Sequence, residues 1–349
     1  MELKSLVVLG GGFGGLSAAK ALAKKNKGQY RVTLIDRNPK QIFTPTLPDL
    51  EIEGVDLKTI AQKHGFDFQV NEIIGLDIPN KIIRLTDRNI TYDGLILALG
   101  METEYFNIPG IKENSISLKS NLDAEKIQEK IKNFQGSEKI IIIGAGPTGV
   151  ELVGTLFKKG KITLVEKGST ILSSFSEKLQ DVATKRLIKN GVEIITNCGA
   201  IKATVDTITL EACGDTKFDL LVWAAGVKGP STYQNSGIDL DPRGRALVER
   251  DLRINNLVFA IGDGMTFRAG RCPTGVRPAI VQGKLAAKNL LASLNNKKTK
   301  EYSCRSYPYI LPIGRFWAAI QLGNFVLTGL LPRLLQKIIH QHYLKSESQ

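Results

Sequence analysis

The chain has 349 residues, of which 42% are hydrophobic and 23% are charged, an ordinary composition for a folded protein with more than one domain. No apolar run reaches the roughly 18 residues of a membrane-spanning helix, and the first apolar run is too short for a signal peptide. The composition therefore favours a cytoplasmic protein. The net charge of +13 suits an anionic partner, but no nucleic-acid-binding motif accompanies it, so we expect no nucleic acid to bind.

The cysteines and histidines are too dispersed to indicate a metal site. The cysteines are Cys198, Cys213, Cys272 and Cys304. They show no C-x-x-C spacing, so we expect unpaired thiols rather than a zinc site or a thioredoxin-type pair. Of the three histidines, His340 and His342 lie in the C-terminal tail, which gives a His-based hydrolase little support.

A glycine-rich turn follows a short apolar strand near the N-terminus. The pattern is a strand over 5–9, a G-x-G-x-x-G turn over 10–15, a helix over 16–23 and a strand over 31–35 that ends at Asp36. This order predicts a dinucleotide-binding unit. The glycines permit a tight turn, a close approach of the backbone to a pyrophosphate and close helix packing. The helix N-terminus attracts phosphates, and the acid accepts hydrogen bonds from a ribose.

The same device occurs a second time. Its parts are a strand over 139–143, the glycines Gly144, Gly146 and Gly149, a helix from Val150, a strand over 161–165 and Glu166. The copies also end alike, with LILALG closing at Gly100 and LVWAAG at Gly226. We interpret this as an internal repeat of a whole nucleotide-binding domain. A further apolar strand runs into Gly262-Asp263, where the acid could bind a ribityl hydroxyl or a phosphate, or be a simple turn residue.

The order of these motifs resembles the flavoproteins with two dinucleotide-binding domains. Within them the chain is most similar to type II NADH dehydrogenases, which are single-chain NADH:quinone oxidoreductases. The similarity rests on IFTPTLPDL (42–50), YDGLILALGMETEYFNIPGI (92–111), GAGPTGVEL (144–152), VWAAGVKGP (222–230) and LVFAIGD (257–263). It implies an α/β fold with two Rossmann-like domains and a short C-terminal helical tail. The FAD domain covers 1–110 and 251–310, the NAD(P)H domain over 111–250 is inserted into it, and 311–349 form the C-terminal segment.

The resemblance also implies a role for individual residues. FAD would be bound by Gly10, Gly12, Phe13, Gly14, Gly15, Asp36, Arg37, Thr44, Pro45, Gly100, Gly262, Asp263 and Ala279. The nicotinamide nucleotide would be bound by Gly144, Gly146, Thr148, Gly149, Glu166 and Gly226. Glu166 should favour NADH over NADPH, since a 2′-phosphate would meet a like charge there.

Two residues are candidates for a catalytic role. The resemblance places Glu151 near the nicotinamide, although an acid in the first turn of a helix also suits the helix dipole. Arg277 could stabilise negative charge at the flavin or on an acidic acceptor, or could be a surface arginine at a helix N-terminus. Neither role requires a dedicated acid or base for hydride transfer, which belongs to the cofactor.

The electron acceptor is the part of the function that the motifs leave open. Type II dehydrogenases have the pattern A-Q-x-A-x-Q-x-G on the helix that faces the quinone, whereas this chain reads VRPAIVQG over 276–283. Arg277 and Val281 replace the two glutamines, and Gln282 is shifted by one position. A quinone is the predicted acceptor. The alternatives are a sulfide:quinone reductase-like enzyme, in which Cys272 and Cys304 could meet, and a soluble reductase of a protein electron carrier.

The tail sequence LLPRLLQKIIHQHYL, residues 330–344, predicts an amphipathic helix. One face carries Leu331, Leu334, Leu335, Ile338 and Ile339, and the other carries Arg333, Lys337, His340 and Gln341. The apolar face could pack on the FAD domain or on a second subunit in a homodimer. It could instead lie in an anionic membrane surface, on its cytoplasmic side, where a lipid-soluble quinone would reach the flavin.

Overall fold

The N-terminal part of the chain forms most of a parallel sheet. The computed structural model describes residues 3–26 and 28–348. The first elements are β1 (Lys4–Leu9), α1 (Phe13–Lys25), β2 (Tyr30–Asp36), a 3₁₀ helix (Thr44–Asp49), α2 (Leu57–His64), β3 (Asp67–Val70), β4 (Ile73–Asp77), β5 (Ile82–Leu85), β6 (Asn89–Thr91) and β7 (Gly94–Leu97). Strands β3, β2, β1 and β7 pair in parallel, while β4, β5 and β6 form an antiparallel sheet.

A second parallel sheet follows. Its region contains β8 (Glu102–Thr103), α3 (Ile111–Asn114), α4 (Asn121–Ile131), β9 (Lys139–Ile143), α5 (Pro147–Leu156), β10 (Lys161–Val165), α6 (Glu177–Lys189), β11 (Glu193–Ile195), β12 (Ala200–Ala203), β13 (Thr207–Leu210), β14 (Gly214–Lys217), β15 (Leu220–Trp223) and β16 (Val227–Lys228). The parallel order is β11-β10-β9-β15, and β8 pairs with β16 where the chain enters and leaves this region. Both predicted strand–glycine turn–helix–strand units are therefore present.

The chain then returns to the first sheet. The returning elements are β17 (Ala246–Val248), β18 (Arg253–Asn255), β19 (Val258–Ala260), β20 (Met265–Phe267) and α7 (Val276–Leu294). Strand β19 pairs with β7 and completes the order β18-β19-β7-β1-β2-β3. The side chains of Tyr233 and Val248 already belong to the buried core of this first sheet. The second sheet is thus nested in sequence between strands of the first, as an inserted domain requires, and the exact domain boundaries stay a prediction.

A C-terminal hairpin and a long helix complete the fold. They consist of β21 (Tyr309–Pro312), β22 (Ala318–Leu322), β23 (Phe325–Gly329) and α8 (Leu330–Ser348). The antiparallel order is β21-β22-β23, and Leu311, Ile313 and Ala319 pack in the core of the second sheet. The predicted helical tail is confirmed, but the three-stranded sheet that precedes it was not predicted.

Helix α8 does not pack its apolar face on the FAD domain, which was one of the two arrangements expected from the sequence. The leucines and isoleucines of its apolar face are between 44% and 72% exposed, so packing of this face on the FAD domain is wrong. The inner face instead carries Arg333, which is buried and pairs with Asp49 of the 3₁₀ helix at 2.8 Å. The apolar pattern predicted a helix correctly, but the ion pair of Arg333 with the partly buried Asp49 turns the other face inward.

Helix α1 packs closely against backbone on two sides. A Cβ atom on Gly15 would overlap the carbonyl oxygen of Gly10, and one on Gly283 of α7 would overlap the carbonyl oxygen of Gly14. Gly10 itself has φ +98°, a conformation that residues with a Cβ rarely adopt. These contacts fix the start of α1 above the end of β1, so that the first amide groups of the helix face the open edge of the sheet.

Two of the four cysteines are paired, which contradicts the expectation of free thiols. Cys272 and Cys304 form a disulfide with their Cα atoms 5.4 Å apart, while Cys198 is buried and free and Cys213 is exposed and free. The partners are 32 positions apart in the sequence, and the chain between them runs along α7 and back. Sequence spacing did not reveal this pair because it depends on the return path after a long helix.

We predict that Gly15→Ala destabilises the protein while Gly12→Ala does not. The methyl group added at position 15 would displace backbone, which should lower the free energy of unfolding by about 2 kcal/mol or more. At Gly12 a Cβ would meet no atom within 4 Å, and its φ of −66° is ordinary. Chemical denaturation of the two cofactor-free variants measures the difference, and equal stability would contradict the packing described for α1.

Candidate functional site

The two glycine-rich loops have the same hydrogen-bond geometry. Gly10 N donates to Ile35 O at 2.8 Å, and in the second copy Gly144 N donates to Val165 O at 2.7 Å. In each copy the next amide donates to the acid at the end of the second strand. These bonds are Gly11 N to Asp36 Oδ2 at 2.6 Å and Ala145 N to Glu166 Oε2 at 2.8 Å. The carboxylates thereby lie beside the loops, where a ribose next to a bound pyrophosphate would reach them.

Each loop also contacts the strand that closes its copy. Ala98 N donates to Leu9 O, and Ala224 N donates to Ile143 O, both at 2.8 Å. A Cβ on Gly10 would overlap the carbonyl oxygen of Ala98, and one on Gly144 would come within 2.5 Å of Ala225 Cα. The repeat inferred from sequence therefore includes the ALG and AAG segments as structural parts of each site.

The first loop opens into a cavity of about 540 Å³ at the carboxyl edge of the first sheet. Many predicted FAD residues line it, namely Gly10, Gly12, Phe13, Gly14, Asp36, Arg37, Thr44, Gly100, Gly262, Asp263 and Ala279. Of the remaining two, Gly15 lies behind the loop against Gly10, and Pro45 follows Thr44 in the 3₁₀ helix without lining the cavity. Sequence positions more than 250 residues apart thus meet in one cleft.

The Gly262-Asp263 turn is held in place by α7 and by the loop before it. Gln282 is buried and its Oε1 accepts a hydrogen bond from Gly262 N at 2.8 Å. Gly275 N donates to Asp263 Oδ1 at 3.0 Å. Gln282, which is shifted from the quinone pattern, therefore supports this turn. Asp263 itself lines the cavity, so its carboxylate is within reach of a ligand there.

Lys119 and Thr232 are two of the cavity residues that sequence reasoning missed. Lys119 lines the cavity, where its side chain is exposed to the open space but surrounded by protein on its other sides. Burial lowers the pKa of its ammonium group, and the nearby Asp263 opposes that shift. Thr232 also lines the cavity, and its buried hydroxyl has no hydrogen-bond partner among the described residues. The only sequence signal for Thr232 was its position just after VWAAGVKGP, and Lys119 had none.

The predicted nicotinamide-nucleotide residues collect at the second sheet. Gly146 is the residue before α5, and a Cβ there would meet no atom within 4 Å. Gly149 packs on Gly144, as Gly15 packs on Gly10. Glu166 Oε1 also accepts a hydrogen bond from Gly168 N at 2.8 Å. A Cβ on Gly226 would overlap the ring of Phe106. None of these residues lines the 540 Å³ cavity.

Glu151 is partly buried and does not line the cavity. Tyr309 of β21 donates a hydrogen bond from its hydroxyl to Glu151 Oε1 at 3.0 Å. Burial raises the pKa of Glu151 to about 8, and the hydrogen bond from Tyr309 only partly offsets this increase. Asp49 and Arg333 are close enough to act on the same carboxyl group. The structure therefore places the Glu151 side chain of α5 against the C-terminal sheet and near Arg333 of α8, a position that the sequence did not reveal.

Arg277 is the second residue of α7, and its side chain is exposed. The nearby Val276 and Ala279 line the cavity, whereas Arg277 does not. Its predicted role at the flavin gains no support from this position.

On the inner side of α8, an aromatic cluster of Phe13, Phe43, His340 and Tyr343 packs with ring centroids 5.1 to 5.6 Å apart. Burial lowers the pKa of His340 to about 4, so this imidazole is neutral at pH 7.

Comparisons with known proteins agree with this arrangement. The model of the pyridine nucleotide-disulphide oxidoreductase family matches residues 4–283. A type II NADH:quinone oxidoreductase of Haemophilus influenzae is 28% identical and covers 92% of this chain and 88% of its own. Demethylphylloquinone reductase NdbB of Synechocystis is 27% identical, with 96% and 91% covered. NDH2 of Plasmodium falciparum, solved with NADH, superposes with a TM-score of 0.85 at 16% identity, covering 98% of this chain and 95% of its own.

These comparisons confirm the predicted fold class and the resemblance to type II NADH dehydrogenases. They also confirm an oxidoreductase that uses a pyridine nucleotide, and FAD and NADH are the cofactors that they support. In the described residues, no helix is long and apolar enough to cross a membrane.

We predict that Glu151→Gln removes a pH dependence of stability. Because burial raises the pKa of Glu151 from 4.5 to about 8, the native state retains a proton that the unfolded state has lost. Its contribution to stability is therefore lost as pH rises from about 4.5 to 8, with a slope near 1.4 kcal/mol per pH unit. Denaturation at pH 5 to 8 should show a flatter profile for Glu151→Gln. The exposed Glu125→Gln on α4 is the control, and identical profiles for wild type and Glu151→Gln would contradict the burial.

Proposed function

Since the chain belongs to the pyridine nucleotide-disulphide oxidoreductase family, we propose that it is an FAD-dependent NADH:quinone oxidoreductase that works at a membrane surface. The observation that carries the proposal is the duplicated loop geometry, with one copy opening into a cavity and the other on the adjoining sheet. The names of its relatives, which the chain covers over 88% and 91% of their own length, support NADH as the donor and a quinone as the acceptor.

The residues around the 540 Å³ cavity fit FAD. Gly12 leaves free space where a side chain would otherwise stand, and the amides at the start of α1 face the same space. Asp36 can bind the adenosine ribose, Asp263 and Lys119 can bind polar groups of the chain between the rings, and Thr232 has a buried hydroxyl available to donate. When bound, FAD supplies a two-electron carrier between the nicotinamide and the quinone.

The second loop fits NADH in the same way. Gly144, Gly146, Thr148 and Gly149 shape the loop at the start of α5, and Glu166 provides the acid for the adenosine ribose. A 2′-phosphate would place about two negative charges beside this carboxylate, which favours NADH over NADPH. Lys167 follows Glu166 and is exposed, so it can weaken this preference.

The acceptor side is best explained by α8. Its inner face carries the aromatic cluster that ends at Phe13 of the FAD loop, and its outer face is apolar and exposed. The exposed apolar surface continues on the adjoining hairpin through Phe316, Leu322, Phe325 and Leu327. A patch of this kind marks a membrane or protein interaction site. We therefore propose that α8 and the hairpin lie in the membrane surface and admit a quinone to the aromatic cluster.

The disulfide supports a second candidate function, a sulfide:quinone reductase-like enzyme. Cys272 is three residues before Gly275, which lines the cavity and donates to Asp263. The partner Cys304 is exposed, so an external sulfur nucleophile can reach the pair. In this candidate, sulfide would attack the disulfide, forming a persulfide on one cysteine and releasing the other as a thiolate. The outer persulfide sulfur would pass to a second sulfide or another thiol, and the two cysteine thiols would then give two electrons to FAD as their disulfide re-forms. The relatives described above carry names of NADH or quinone reductases, which keeps NADH oxidation as the first candidate.

We predict that the purified protein contains about one FAD per chain and oxidises NADH with a naphthoquinone or ubiquinone analogue as acceptor. Steady-state assays with lipid vesicles should compare quinones, ferredoxin and sulfide as reactants. NADH should exceed NADPH in kcat/KM by about tenfold or more, and Glu166→Gln should narrow this ratio.

The variant Gly12→Ala should fold normally but lose FAD, because its methyl group occupies the space that the pyrophosphate needs.

Some outcomes would reject this proposal. A protein that takes up no FAD on reconstitution would exclude it entirely. Reduction of quinone by sulfide but not by NADH, abolished in Cys272→Ser, would establish the second candidate instead. Efficient reduction of ferredoxin with no quinone activity would indicate a soluble reductase of a protein carrier.

We predict that the protein sediments with anionic vesicles and that Leu331→Gln/Ile338→Gln reduces the bound fraction at least about tenfold. Both side chains are strongly exposed, and each loses the free energy of apolar burial in the lipid. The control is Leu122→Gln/Ile188→Gln, which changes two similarly exposed apolar residues on α4 and at the end of α6. Equal binding of both variants would exclude docking through α8. A dimer that only Leu331→Gln/Ile338→Gln dissociates would show that the apolar face is a subunit interface.

A further inference from the structure

A second cavity, of about 810 Å³, lies between α1, α2, α7 and α8 on the other side of Phe13. We call it the lysine cavity. Its cationic lining consists of Lys20, Lys24, Lys25, Lys63, Lys284 and Lys288. Within the described residues, Glu347 is the one acidic residue that lines this cavity. Its carboxylate pairs with the Lys20 ammonium group at 2.7 Å. The six ammonium groups therefore face one space with a single neutralising partner.

Helix ends explain only some of these lysines. Lys24 and Lys25 lie in the last turn of α1, and Lys63 lies in the last turn of α2, where cations favour the helix dipole. Lys284 and Lys288 lie within the 19-residue α7 and are four residues apart. Like charges at this spacing repel each other on a helix. This pair faces the charges of α1 across the same cavity, so the arrangement gains stability when an anion occupies the space.

The histidine of the cavity responds to this positive environment. The pKa of His64 is lowered first by burial and then by the charges of Lys20 and Lys63, while Glu347 opposes the shift. Burial and the two neighbouring ammonium groups together disfavour the protonated imidazole.

The remaining wall of the lysine cavity is apolar. It consists of Phe13, Leu16, Ala21, Ile280 and the ring of Tyr343. Ser17 lines it as well, but its hydroxyl is already used in a hydrogen bond to Ile280 O at 3.0 Å. A small inorganic anion would leave this wall uncovered. A ligand with an anionic head and an apolar body would satisfy both kinds of lining.

We propose that the lysine cavity binds a phosphate-bearing amphiphile of the chemistry of an anionic phospholipid. Lysine is a common ligand of phosphate oxygens, which accept charge-assisted hydrogen bonds, and the apolar wall receives the first carbons of the lipid chains. The cavity lies beside the C-terminal end of α8, whose outer face is apolar. The inference rests on the proposed membrane docking for the source of its ligand, but the binding itself does not require a vesicle.

The test uses full-length, FAD-loaded protein and monomeric short-chain lipids. Calorimetry should compare dihexanoylphosphatidylglycerol, which is anionic, with dihexanoylphosphatidylcholine and with inorganic pyrophosphate. The variant is Lys284→Gln/Lys288→Gln. The matched control is Lys126→Gln/Lys130→Gln, which removes the same charge from an exposed pair four residues apart on α4. FAD content and thermal unfolding verify that both variants are folded.

The expected result is preferential binding of dihexanoylphosphatidylglycerol that weakens with salt. Lys284→Gln/Lys288→Gln should raise its dissociation constant about tenfold or more, and the control should change it less than about twofold. Glu347→Gln, which removes the acid from the lining, should tighten binding.

Equal loss in the two lysine variants would overturn the proposal, since net charge alone would then explain binding. Equal affinity for dihexanoylphosphatidylglycerol and dihexanoylphosphatidylcholine would also overturn it, because the lysine charges would then contribute nothing to binding. Pyrophosphate binding as tightly as the anionic lipid would show a site for soluble anions and reject an amphiphile. If the lipid binds the cavity but Leu331→Gln/Ile338→Gln leaves vesicle binding intact, the proposed docking through α8 fails while the lysine cavity stands.

Discussion

The structure depends on backbone-to-backbone contact at the two glycine-rich loops. Gly15 and Gly149 bring the helices α1 and α5 against the carbonyl oxygens of Gly10 and Gly144, where any side chain would overlap main chain. This contact places each helix N-terminus over the end of its strand. The acid of the following strand then reaches the loop amides without further adjustment. Because Gly283 repeats the contact from α7, the same constraint also fixes the Gly262-Asp263 turn that closes the cavity.

The C-terminal helix connects this site to the surface through polar contacts and an aromatic cluster. Arg333 holds α8 to Asp49, and Tyr343 joins Phe13 and donates a hydrogen bond to Gln41 at 3.1 Å. A charged pair with one buried and one partly buried member contributes little net stability, because desolvation offsets much of the attraction. Its advantage here is orientation, since it leaves the leucines and isoleucines of the helix outside. Helix α8 thus contacts the FAD loop with one face and exposes apolar side chains on the other.

The sequence predicted those parts of the site whose geometry is local. A glycine turn between a strand and a helix, with an acid at the next strand end, determines its own conformation within about 30 residues. Most of the predicted FAD residues therefore line one cavity. Lys119, Thr232 and the environment of Glu151 could not be predicted, because each depends on contacts across the two sheets. The Cys272–Cys304 pair and the inward face of α8 were not predicted for the same reason. The pair depends on the path of the chain after α7, and the inward face depends on the contact of Arg333 with Asp49.

The nested order of strands has a consequence for how the chain is made on the ribosome. Strand β7 is apolar and buried in the finished sheet, but its neighbour β19 is synthesised about 160 residues later. At usual elongation rates this interval is on the order of ten seconds. During that time β7 presents an unpaired apolar edge, which is a site for aberrant strand pairing. The inserted domain, by contrast, holds its four parallel strands within one continuous stretch and can complete its sheet first. Synthesis therefore favours the second nucleotide site forming before the first.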